Sequence, residues 1–405
     1  EDWVFRLTYN WALRYFAEFN GAYNGSEKFS SDKRFAFFPS VSGGWMISEE
    51  PFMASLREKS ILDMLKLRIS WGRVGDDSIG GRWLYQDAYS YGGNVAMGSI
   101  NPGNTPYTFY KIATLGNPNI GWETVEKRNF GLDFSVFGGL IAGSVDYFND
   151  VRNDILIGGG SRAIPSYFGA TAPSANLGET KSSGYEVELR FNHTFKNGIR
   201  AWLNSSLTHA VNEVVFKDDA ALLPEYQKAA GHAIGQTYAY IDNGNLSSWD
   251  DVIGSTAWTT ANNLKLPGDY YIIDFNGDGL VDVDDRAPYQ YASIPQNTFN
   301  VAFGAEWKGF SIMAQFYGVN NVSREVNFPT FRSTAHVAYA EGSYWTPGGN
   351  ASLPTPRWGT TIDASAVGTR YWYDGSFVRL ENVELAYTFK NNLLKNFGIN
   401  SLRVF

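Results

Sequence analysis

Apolar and polar residues alternate one by one along much of this chain. In Tyr185-Glu-Val-Glu-Leu-Arg-Phe191, Tyr185, Val187, Leu189 and Phe191 share one face, while Glu186, Glu188 and Arg190 share the other. Leu65, Leu67, Ile69 and Trp71 alternate with Lys66, Arg68, Ser70 and Gly72. Phe130, Leu132, Phe134 and Val136 alternate with Asn129, Gly131, Asp133 and Ser135. Successive side chains of a strand point to opposite faces, so a period of two predicts strands that separate an apolar from a polar environment.

About twelve such segments are predicted, at 3–10, 12–24, 36–48, 63–74, 124–137, 140–153, 183–195, 199–212, 297–307, 310–320, 374–389 and 400–405. A brief helix is expected over Met53–Ile61. The links alternate in length. Trp11, Gly138-Gly139, Lys196-Asn197-Gly198 and Lys308-Gly309 are short, whereas 25–35, 75–123, 154–182, 213–296 and 321–373 are long. The strands exceed the soluble norm of about five to six residues and suit a tilted membrane crossing. Short turns at one end and long loops at the other are the habit of outer-membrane barrels. The expected class is therefore all-β, a transmembrane antiparallel β-barrel with long extracellular loops.

Composition narrows the choice. The chain carries 13 Trp, 24 Tyr and 28 Phe, yet charged residues are only 18%. No stretch approaches the roughly 18 consecutive apolar residues of a membrane helix, and closed barrels are the other structure that spans a bilayer. With no cysteine there is no disulfide and no thiolate metal site. A net charge of −8 argues against a nucleic-acid partner. The first residues, Glu1-Asp2-Trp3-Val4-Phe5, read as mid-strand, and Ser401–Phe405 as a strand cut short, so a fragment is expected.

Several stretches resemble the SusC-like (RagA-type) TonB-dependent outer-membrane transporters. They include Glu18-Phe-Asn-Gly-Ala-Tyr-Asn-Gly-Ser26, Phe38-Pro-Ser-Val-Ser-Gly-Gly-Trp45, Leu67-Arg-Ile-Ser-Trp-Gly72 and Gly116-Asn-Pro-Asn-Ile-Gly-Trp-Glu123. Asn176-Leu-Gly-Glu179 with Ser183-Gly-Tyr-Glu186, Tyr344-Trp-Thr-Pro347 and Ser376-Phe-Val-Arg-Leu-Glu-Asn-Val383 follow in the same order. The resemblance implies that residues 1–405 are the C-terminal part of a 22-stranded barrel, a size associated with plugged transporters. It further implies a plug domain, a TonB box and early strands outside this chain, and a SusD-like lipoprotein lid. The cargo it implies is a glycan or a peptide, imported at the expense of inner-membrane energy through the TonB complex.

One motif carries sharp chemistry. Asp274-Phe-Asn-Gly-Asp-Gly-Leu-Val-Asp-Val-Asp-Asp285 follows a calcium-loop template inside the 213–296 connection. Ca²⁺ takes six to eight oxygens, supplied in such loops from positions 1, 3, 5, 7, 9 and 12. Here those are Asp274, Asn276, Asp278, the Leu280 carbonyl, Asp282 and Asp285, with Gly279 at the turn. An Asp in the last position is shorter than the usual Glu. The alternative is an Asx-rich turn that caps itself.

The long loops also carry aromatics, and Trp83, Tyr85, Trp249, Trp258, Trp345 and Trp358 are the candidates for stacking against substrate. Loop packing and an interfacial girdle compete for the same residues. His193, His209, His232 and His336 have no metal spacing, and no hydrolase, zincin or phosphate-loop motif occurs, so no enzyme is expected. Outer-membrane lipid is the surrounding partner. Two alternatives to active import stay open at this stage, a passive outer-membrane porin and a soluble carbohydrate-binding β-protein.

Overall fold

The structure is a computed structural model that describes residues 2–94, 108–260, 262–326, 345–349, 355, 368–389 and 401–405. Its frame is a 12-stranded antiparallel sheet in which each strand pairs with the next along the chain. The strands are β1 (Asp2–Trp11), β2 (Tyr15–Gly25), β3 (Phe35–Met46), β4 (Leu62–Asp76), β5 (Glu123–Val136) and β6 (Ile141–Ile157). They continue as β7 (Ala175–Thr194), β8 (Arg200–Phe216), β9 (Asn297–Trp307), β10 (Phe310–Asn320), β11 (Phe377–Phe389) and β12 (Leu402–Val404).

The twelve expected segments each correspond to one of these strands. The largest difference is β7, which begins at Ala175 rather than near 183. Its early part, Asn176-Leu-Gly-Glu-Thr, lacks alternation but still pairs with β6 and β8. The Met53–Ile61 helix is smaller than expected. Two 3-10 turns, Ile47–Glu49 and Pro51–Met53, precede a single α turn at Ala54–Glu58.

Tight turns close one end of the sheet. At Lys308-Gly309 both residues have positive φ (+50° and +92°), the twist that joins two right-twisted strands most directly. A Cβ on Gly309 would also lie 2.8 Å from the Thr388 carbonyl oxygen.

Register shows how the apolar band runs. One row of partners carries Leu7, Phe19, Val41 and Trp71 across β1–β4, then continues as Arg128, Asn149 and Ser183 across β5–β7. The next row on the same face, two pairs below it, holds Ile69, Phe130, Tyr147 and Tyr185. The apolar band therefore crosses the hydrogen-bonded rows diagonally. That is what strands tilted against a membrane require, because a level band meets each successive strand at a different residue.

The wall is one residue thick, so it has no interior of its own. Its apolar side chains lie open on one face, with Ile69 at 52% and Phe130 at 53% exposure. Buried clusters form instead in the loops. Trp258, Tyr270, Ile272, Val281 and Tyr371 make one, with Tyr240 against it. Phe29, Ile79 and Ile120 make the other, with Leu84, Trp122 and Leu156 packed around them. Small two-stranded sheets stiffen the loops, such as Asp242–Asn245 with Tyr270–Ile272 and Tyr238–Tyr240 with Arg286–Pro288.

Candidate functional site

The polar face of the sheet is lined by ion pairs that span strands. Arg68 on β4 donates two hydrogen bonds to Asp133 on β5 and one to Asp146 on β6, each 2.8 Å. Gly131 makes room for this, since a Cβ there would lie 2.6 Å from the Arg68 guanidinium carbon. Arg152 on β6 reaches Asp76 at 2.7 Å and Glu123 at 2.6 Å. Arg6 meets Glu18 and Lys127 meets Asp150, both at 2.7 Å. Lys66 lies over the Phe16 ring at 4.9 Å, beside a groove that Thr8, Asn10, Glu18 and Asn129 also line.

Half-exposed pairs of this kind contribute roughly 0–1 kcal/mol each. Their consequence is chemical rather than energetic. They give the inner face a polar surface on which these charges are paired.

At the long-loop end, two connections far apart in sequence are tied together. The Asp242 carboxylate accepts hydrogen bonds from the Thr369 hydroxyl (2.8 Å), the Arg370 backbone N–H (3.0 Å), and Arg370 Nε and Nη2 (3.1 and 3.0 Å). Arg370 Nη1 donates to Asn245 Oδ1 at 2.7 Å, and the guanidinium lies 4.2 Å from the centre of the Tyr270 ring. Beneath it the Tyr270 and Tyr371 hydroxyls meet at 2.9 Å. Burial pushes both phenols above the usual tyrosine value. Burial lowers Lys265, whose ammonium donates to the Thr256 carbonyl at 2.6 Å and sits over Trp258. No local pattern announces this knot, because Asp242 and Arg370 are 128 positions apart.

The expected substrate aromatics divide. Trp83 and Trp249 are exposed, at 61% and 57%, on the loop surface. Tyr85 is half-buried, and Trp345 is half-buried with its ring against Gly268. Trp258 needs correcting. It is 4% exposed at the centre of a loop core, so its ring packs the loop and offers no face to a ligand. Trp358 lies outside the described residues.

The acidic loop folds around its own amides. Asp274 accepts from the N–H groups of Gly277, Asp278 and Gly279. Asp285, fully buried, accepts from Phe275, Asn276 and Asp282. Asn276 donates to Asp278 at 3.1 Å, Asp282 accepts from the Asp284 N–H at 2.9 Å, and Leu280 donates its N–H to Asp278. Among the described residues no three acidic or imidazole side chains converge as a metal cage. The self-capping alternative accounts for these bonds.

The sequence profile of the family described as "TonB dependent receptor-like, beta-barrel" matches residues 2–402. The chain belongs to that family. A TonB-dependent receptor, called P3, from Formosa agariphila is 25% identical over 99% of this chain and 39% of its own length. The TonB-dependent receptor SusC of Bacteroides thetaiotaomicron is 26% identical over 95% of this chain and 37% of its own length. This TonB-dependent receptor barrel thus spans about two fifths of the curated relatives it matches.

Among solved structures, the RagAB peptide importer in its open-open state superposes with a TM-score of 0.74 at 21% identity, over 99% of this chain and 42% of that one. A second RagAB peptide transporter structure gives 0.73 at 20% identity, with the same coverage. The SusC-like resemblance carried by the motifs therefore holds along nearly the whole chain. Family membership places this receptor barrel in the outer membrane and sets aside the soluble carbohydrate-binding alternative. Its relatives are receptors and transporters, as the expectation of a non-enzyme required. No helix of the described residues is long and apolar enough to cross a membrane. The crossing is made by strands.

Proposed function

We propose that this chain is the barrel wall and external cap of a plugged, 22-stranded importer that takes up a nutrient oligosaccharide with energy delivered through TonB. A SusD-like lipoprotein would close over the loops from outside. The family match across residues 2–402 is the observation that carries this reading. The ion-paired inner face suits a polar cargo. Exposed Trp83 and Trp249 offer flat apolar faces on which sugar rings can stack, which favours a glycan.

Peptide is the second reading, favoured by the shared fold with the RagAB peptide importer. Growth and labelled-cargo uptake by the native strain, with and without the intact gene, separates them. Loss of oligosaccharide uptake alone supports the proposal, and loss of peptide uptake alone reverses the substrate. Uptake that survives dissipation of the inner-membrane gradient would make the protein a passive porin. Membrane extraction in mild detergent should bring down a lipoprotein with the barrel, and its absence would remove the lid.

The spacing of Asp274, Asn276, Asp278, Leu280, Asp282 and Asp285 also supports a calcium proposal for the loop. An ion there would share carboxylates that already hold backbone amides, and would stiffen the loop without touching the transport path. Calorimetric titration of the full-length protein that gives no heat at millimolar Ca²⁺, the affinity range of about 10⁻⁴–10⁻³ M for extracellular sites, would remove it.

A further inference from the structure

The apolar face of the wall changes character at a definite height. On β4 it reads Leu65, Leu67, Ile69, Trp71 and then Arg73; on β5 it reads Phe134, Leu132, Phe130 and then Arg128. Trp71 lies opposite Arg128, and Arg73 opposite Glu126. Arg73 and Arg128 are therefore diagonal neighbours on one face, with Cβ atoms about 7 Å apart. Asn149 of β6 flanks Arg128 on its other side.

These two arginines differ from those on the inner face. There Arg68, Arg152 and Arg6 each hold a carboxylate at 2.6–2.8 Å. Arg73 is exposed and reaches the Thr124 hydroxyl at 3.3 Å, with no carboxylate at ion-pair distance among the described residues. Arg128 meets Glu126 at 3.3 Å, with its side chain 53% exposed. Both guanidinium groups keep donors open to the outside.

Directly below them on the same face lies an apolar groove of about 710 Å³. Leu67, Ile69, Phe130, Leu132, Val145 and Tyr147 line it, and Gly43 deepens it where a larger side chain would fill the row. Paired donors above an apolar trough match an amphiphile with an anionic head and an acyl tail. Arginine forks suit phosphate oxygens, tryptophan favours the membrane–water boundary, and basic clusters at that boundary recognise lipid head groups.

We propose that Trp71, Arg73, Arg128 and Asn149 bind the phosphate of an outer-leaflet lipid whose acyl chain lies in the groove beneath. The proposal rests on the outer-membrane placement of the barrel, not on its cargo. The full-length protein, reconstituted in phosphatidylcholine nanodiscs with a minor fraction of phosphorylated or dephosphorylated lipid A, tests it by native mass spectrometry.

Wild type should retain the phosphorylated lipid preferentially. Retention should fall about fivefold for each arginine removed in Arg73→Ala and Arg128→Ala. Glu126→Gln, which leaves both arginines and removes the competing carboxylate, should raise it. Inorganic phosphate in large excess should not displace the lipid. Equal retention of the two lipid A forms, indifference to both arginine changes, no rise with Glu126→Gln, or displacement by free phosphate would each overturn the site. The native-strain uptake assay does not depend on this outcome, so the two readings fail separately.

Discussion

Replacing Asp242 by alanine should loosen the external cap while leaving the barrel wall intact. The Asp242 carboxylate takes hydrogen bonds from two residues of the other loop, and its side chain and that of Arg370 are only 10% and 18% exposed. Removing one partner of a buried ion pair typically costs about 3–5 kcal/mol, because the remaining charge is stranded. Arg370 would keep Asn245 and the Tyr270 ring, and part of its side chain reaches water, so the low end applies, about 3 kcal/mol.

At about 1.4 kcal/mol per factor of ten, protection of the amides held by the knot should drop on the order of 100-fold. The amides to follow by hydrogen exchange are Ile273, bonded to the Ile241 carbonyl, and Leu246, bonded to the Asp269 carbonyl. The wall amides of β5 and β6 should keep their protection and serve as the internal reference. Changing Arg370 to leucine as well should restore part of the loss, since the stranded charge is then gone. A shift of less than about threefold in these amides for the single variant would show that the two loops are not joined through this pair.

Trp258→Ala should destabilise the same cap by about 3–5 kcal/mol through the cavity it leaves, whereas exposed Trp249→Ala should stay within about 0.5 kcal/mol. Limited proteolysis of the loops checks both, and equal sensitivity of the two variants would contradict their assigned burial. In the wall, a Cβ at Gly184 would lie 1.9 Å from the His209 carbonyl oxygen, while nothing lies within 4 Å of one at Gly158. Gly184→Ala should therefore lower the temperature at which the barrel unfolds in detergent, at a cost of about 1–3 kcal/mol, and Gly158→Ala should not. For pH, the folded cap holds Tyr270 and Tyr371 above the ordinary value of 10.0, so it favours their neutral form. That contribution is complete below 10.0 and is lost as pH rises toward the raised values. Tyrosinate absorbance in a Tyr270→Phe/Tyr371→Phe variant should then lack a late-titrating component seen in the wild type, and identical titrations would refute it.

Much of the frame was legible in the sequence because a strand encodes its environment locally. Leu67, Ile69 and Trp71 against Lys66, Arg68 and Ser70 state both faces within six residues, and Lys308-Gly309 states a turn within two. The twelve strands, their order and the end that carries long loops follow from such short-range signals. Residues 175–182 were missed because that stretch rises above the band, where neither face needs to be apolar and the alternation lapses.

Tertiary structure decided what depends on pairing across distance. Trp249 and Trp258 look alike in sequence, yet one is exposed and the other is closed over by Tyr270, Val281 and Tyr371. Asp285 is buried and ties the amides of Phe275, Asn276 and Asp282, a placement that its spacing does not state. Strand register alone sets Arg73 beside Arg128 and Arg68 between Asp133 and Asp146. A period of two tells a residue which face it occupies. Only the alignment of neighbouring strands, set by turns and tilt over the whole sheet, tells it which side chain it meets there.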